Sequence, residues 1–117
     1  MQETARIDSG KEAERRAVIV TVALAELVSD SGRQRHFISQ LPRFLKARAL
    51  DDARPAPVVW SGDAFVQHIA SALGTHAAEA EITLHAVYAV LQEAISPGQI
   101  SEFENDLPLD LRAVLRG

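Results

Sequence analysis

The chain has 117 residues, 47% of them hydrophobic and 24% charged, with no cysteine and a formal net charge of −4, a composition that excludes a disordered or fibrous protein. Lacking cysteine, it forms no disulfide, thiolate metal site or thiol nucleophile, and it fits a reducing cytosol. The acidic balance disfavours a dedicated nucleic-acid binder, which needs a basic footprint to neutralise phosphate.

This length makes one domain, 1–117, able to bury roughly two-thirds of the surface its unfolded chain exposes. Residues 1–8 are polar and read as frayed; with no apolar run after a basic start, they are not a signal peptide. Ser9 and Glu12 stand three apart in a capping box, so a helix is expected from about residue 10. The run AVIVTVALAELV over 17–28 has strong β propensity at 18–22. Ala13, Ala17, Val20, Leu24 and Leu27 or Val28 nevertheless follow the 3.6-residue period, so the run reads as helix. Its twelve positions, Glu26 among them, fall short of the ~20 apolar residues of a membrane span.

Residues 51–61 read as a linker, because Asp51, Asp52, Pro55 and Pro57 oppose a continuous helix. Val58, Val59 and Trp60 close this loop and are expected to fold back onto the core, or else to form a partner-binding patch. A helix then covers 63–74. Over 79–95, Ala80, Leu84, Val87, Leu91 and Ala94 make one buried stripe. Ser96-Pro97-Gly98-Gln99 carries a capping box with Pro97 at the first helical position. Ile100, Phe103 and Leu107 continue an apolar face until Pro108 ends that helix, and a short final helix buries Leu111 and Leu115.

A shift of 67 superposes Glu12-Ala13-Glu14 on Glu79-Ala80-Glu81, Val20 on Val87, Leu24 on Leu91 and Val28-Ser29 on Ile95-Ser96. One residue later the shift is 66, matching Gly32 with Gly98, Phe37 with Phe103, Leu41-Pro42 with Leu107-Pro108 and Leu45 with Leu111. The expectation is an all-α helical bundle of two pseudo-symmetric repeats, about 9–50 and 62–115, with both Leu-Pro pairs structural. Both long helices are apolar around most of their circumference and are expected to pack face to face at the centre.

The EAE start, the alanine-valine-leucine helix, the Pro-Gly-Gln turn and the Leu-Pro pair of each unit resemble the bacterial domain of unknown function 2267 family. The resemblance is best over 63–115 and weaker over 12–50. It implies an all-α fold and no assigned reaction. In relatives a helix matching 63–74 precedes the first copy; here residues 1–8 stand in that place. That helix is expected to be absent or reduced, leaving core surface exposed or covered by another chain. Relatives also carry an aromatic-rich stretch ending in tryptophan after the first Leu-Pro unit, where this chain has LKARALDDARPAPVVW.

Chemistry is sparse. His36, His68, His76 and His85 offer only the helical pairings His76 with Glu79 and Glu81 with His85. A bundle metal site needs several carboxylates and histidines converging from facing helices, so no metal is expected. There is no G-x-S-x-G elbow, and Gly32, Gly74 and Gly98 read as turn residues rather than a phosphate cradle. Glu102, Glu104 and Asp106 read as solvated surface rather than paired catalytic carboxylates, with Asp106 placed to cap the last helix. No catalytic residue and no cofactor are expected.

Charge is distributed more tellingly. Lys and Arg number 10 against 8 Asp and Glu in residues 1–57, and 2 against 8 in 58–117. Arg33, Arg35, Arg43, Lys46 and Arg48 surround the first Leu-Pro unit, whereas Glu102, Glu104, Asp106 and Asp110 surround the second. Independent drift of two solvated surfaces explains this, as does complementarity between copies or subunits. The expectation is a non-enzymatic interaction module, self-associating or docked on a protein partner. Nucleic-acid binding through 33–48, and a small-molecule or lipid site between helices, are the alternatives.

Overall fold

The computed structural model describes residues 2–28, 30–53 and 60–116. Among the described residues are seven α-helices and no strand: α1 (Gln2–Glu26), α2 (Ser31–Ser39), α3 (Arg43–Asp52), α4 (Gly62–Leu73), α5 (Ala77–Ala94), α6 (Pro97–Asn105) and α7 (Leu109–Arg116). The fold is all-α, as the periodicity requires. The β-prone run over 18–22 lies inside α1, where Val20 and Thr21 are fully buried; packing against neighbouring helices overrides local preference.

Two boundaries differ from those read in the sequence. α1 starts at Gln2, not near residue 10, because Gln2, Glu3, Ala5 and Arg6 are good helix formers. Ser9 is thus inside the helix and is not its cap, while Glu12 binds Arg15 and Arg16. α3 runs through Asp51 and Asp52, with Arg48 reaching Asp52 one turn later at 3.9 Å. Of the linker, residues 54–59 lie outside the described residues, including Val58 and Val59. Trp60 is half-buried against the core, its ring stacked on His68 at 4.8 Å.

Local punctuation follows the sequence more closely. Asp30 and Ser96 cap α2 and α6 through the backbone N–H of Arg33 and Gln99. Half of the box expected at Ser96 is replaced: its own N–H donates to Gln40 Oε1 at 3.1 Å. Leu41-Pro42 and Leu107-Pro108 separate α2 from α3 and α6 from α7, and both leucines are buried. Gly74 ends α4 at φ +74, and the N–H groups of Gly74 and Thr75 close back onto Ala70 O. That left-handed position favours glycine.

α1 and α5 pack on each other; α3 and α4 flank α1, and α4 and α7 flank α5. Leu24, Leu84 and Leu91 are wholly buried in this layer, each stabilising the fold by about 1.5–3 kcal/mol. α2 and α6 meet through Phe37 and Phe103, whose rings stack at 5.0 Å. Two reciprocal bonds flank the stack, Arg33 to Asp106 at 2.5 Å and Ser96 N–H to Gln40. The long helices are not covered all round, however. One side of α5 is open to solvent at Ile82 and Val90.

Candidate interaction site

The open side of α5 forms one wall of an apolar groove of about 360 Å³. α1 contributes Ala13, Arg16 and Ala17, α3 contributes Phe44 and Leu45 with Pro42 just before it, and α5 contributes Ile82, Thr83, Ala86, Val87 and Val90. Ile82 is 69% exposed, Val90 54% and Phe44 50%. Three large apolar side chains this close together, on helices whose other faces are buried, make a contiguous apolar surface rather than scattered exposure. Of these lining residues Arg16 is the charged one, bound to Glu12 at 2.8 Å and to Glu79 at 3.5 Å. Hydrogen bonds from Arg15 and Arg16 hold the Glu12 carboxyl down to about 2, so this rim stays ionised at any ordinary pH.

A second seat on the same bundle is filled. α4 packs against α5, α7 and α1, burying Phe65, Val66, Ile69, Ala70 and Leu73. Polar contacts hold both its ends: Gly62 N–H donates to Asp110 Oδ2 at 2.7 Å, and Arg15 donates to the Leu73 carbonyl at 3.3 Å.

The residues singled out by charge have different surroundings, and one pair joins the two sets. Arg33 is bound to Asp106 within the chain, and Arg48 lies beside Asp52. Asp110 is occupied at the start of α4 and by the Leu111 N–H. Asp106 is the C-cap of α6 and does not cap α7. Glu104 departs furthest from the solvated surface expected, being only 5% exposed. It accepts from the Tyr88 hydroxyl and from Arg116 at 2.5 Å. Burial alone would raise its carboxyl, but Tyr88 and Arg116 outweigh that and hold it below the usual range. Burial and the same hydrogen bond push the Tyr88 hydroxyl far up. Of the remaining group, Arg35, Arg43 and Glu102 are exposed and Lys46 is half-buried.

The histidines serve local structure. His76 caps α5 by accepting from the Glu79 N–H, and His85 Nε2 donates to the Val114 carbonyl at 2.5 Å. Among the described residues no group of three His, Asp or Glu converges as a metal site would. No helix of the described residues is long and apolar enough to cross a membrane.

The family model described as an uncharacterized conserved protein, DUF2267, matches residues 1–114. The chain belongs to the DUF2267 family. No curated protein and no solved structure matches it. Every residue lining the groove of this DUF2267 chain falls inside the matched span. Sequence reasoning missed Phe44, Ile82 and Val90, because periodicity reports apolar faces but not which of them a neighbouring helix covers.

Proposed function

We propose that this chain is a non-catalytic interaction module of a bacterial cytosol, self-associating or docking a protein partner, and that the groove between α1, α3 and α5 is its working surface. The observation that carries this reading is the exposure of Phe44, Ile82 and Val90 around one apolar depression, because burying such a surface is the main favourable term in association. The carboxylate best placed for acid–base work, Glu104, is instead tied to Tyr88 and Arg116. Nucleic-acid binding is less well supported, since Arg33 and Arg48 already face carboxylates of this chain.

Light scattering across a concentration series, together with photo-crosslinking from position 86 in the host, tests the reading. The wild-type chain is expected to associate with itself or with one protein, and Val90→Asp to lose that association while melting within a few degrees of wild type. A wild type that is monomeric throughout, with no crosslink sensitive to Val90→Asp, would overturn it.

A further inference from the structure

The filled seat of α4 identifies what belongs in the open groove. Under the shifts of 67 and 66 that relate the two halves of the sequence, α5, α7 and α1 exchange with α1, α3 and α5. The three helices beneath α4 are thus the counterparts of the three lining the groove. Burial reverses accordingly. Ala80 and Leu84 are buried, whereas their counterparts Ala13 and Ala17 are not; Ala23 is buried, whereas its counterpart Val90 is exposed. The groove is lined by the sequence counterparts of the residues of a helix seat.

Its two ends differ from those of the α4 seat in a way that restricts the occupant. Asp110, which accepts from the first turn of α4, corresponds to Phe44, and Arg15, which binds the last turn, corresponds to Ile82. A helix in the groove therefore supplies its own N-cap at the α3 end and runs on past Ile82 at the other. At the α3 end stand Arg43, exposed, and Lys46, half-buried, neither in an ion pair among the described residues. That charge complements acidic residues in a helix first turn, where the helix dipole favours them too.

We propose that the groove receives one amphipathic α-helix of a partner protein, acidic in its first turn and apolar at the spacing of Phe65, Val66, Ile69, Ala70 and Leu73. The inference rests on the interaction-module reading and names the partner's chemistry. The partner helix lies across α1, α3 and α5 as α4 lies across α5, α7 and α1, and its apolar stripe covers Phe44, Ile82 and Val90.

The test is a fluorescence-anisotropy titration of the full chain with a labelled synthetic helix of about 20 residues, long enough to be helical when docked. It carries that apolar spacing and two glutamates in its first turn. Saturable binding is expected, weakened about tenfold or more by Val90→Asp, which places an unpaired charge under the stripe. Ile82→Asp, at a more exposed position, provides the same readout should Val90→Asp not fold. Exchanging the two glutamates for lysines is expected to weaken binding about fivefold at low salt, with the difference shrinking as salt rises. Equal binding to wild type and to both groove variants would remove the groove as the site. Equal binding of the glutamate and lysine peptides would overturn the acidic first turn. Absence of saturation for both peptides, with association of the chain itself still sensitive to Val90→Asp, would overturn the helical partner while leaving the interaction module standing.

Discussion

Of the three buried polar side chains among the described residues, Thr21, Gln34 and Glu104, the first and last act on stability in opposite directions. Thr21 is fully buried and its hydroxyl has no hydrogen-bond partner, so the fold carries a desolvation penalty there. Thr21→Val keeps the shape and removes the group; it is expected to raise stability by about 1 kcal/mol, read as a higher melting temperature. Glu104 is buried but satisfied. Its carboxyl ionises at lower pH in the folded chain than in the unfolded one. The stability this contributes is complete above the unfolded carboxylate value of about 4.3 and is lost as pH falls through the folded value. Glu104→Gln is expected to cost about 2 kcal/mol at neutral pH. Denaturant melts at descending pH should show the gap to wild type closing below about pH 4; a constant gap would mean that the carboxylate charge contributes nothing.

Among the elements, α4 shows how closely a helix seat is cut. A Cβ at Gly62 would meet Val114 Cγ2 at 2.9 Å and the Asp110 carbonyl oxygen at 3.0 Å. The second neighbour is backbone and has little freedom to retreat. Gly62→Ala is therefore expected to destabilise by about 1–3 kcal/mol through overpacking, whereas Gly98→Ala, with nothing within 4 Å, should not. Thermal melts of both variants check this. Much of this architecture was legible in the residues: the Ser96 cap, the breaks at Pro42 and Pro108, and the helix over 63–74 are local signals. What was not legible depends on distant partners. Glu104 sits among charged neighbours, and its burial depends on Tyr88, sixteen residues away, and on Arg116, twelve away. The exposure of Ile82 and Val90 likewise follows from where α3 and α4 end up, which no helical period encodes. Charge patterning named two residues that do meet across the halves, Arg33 and Asp106, but it does not encode that Asp110 is taken up at the start of α4.

At the level of the whole molecule, the two halves are joined in ways that make them one cooperative unit. α1 and α5 pack on each other, and α4 binds both, so neither half keeps its apolar layer if the other opens. The Phe37–Phe103 stack, with Arg33–Asp106 and Gln40–Ser96 on either side, adds a second joint remote from the first. Phe103 is buried and also lies against Tyr88, so Phe103→Ala is expected to cost about 3–5 kcal/mol. The more telling outcome is how that loss is shared. Since the stack belongs to α2 and α6 equally, native-state hydrogen exchange should show the slowest amides of α1 and of α5 accelerating together and by the same factor. Acceleration confined to α5 would mean that the second half opens alone. The groove would then vary with the state of α5, because five of its lining residues come from that helix.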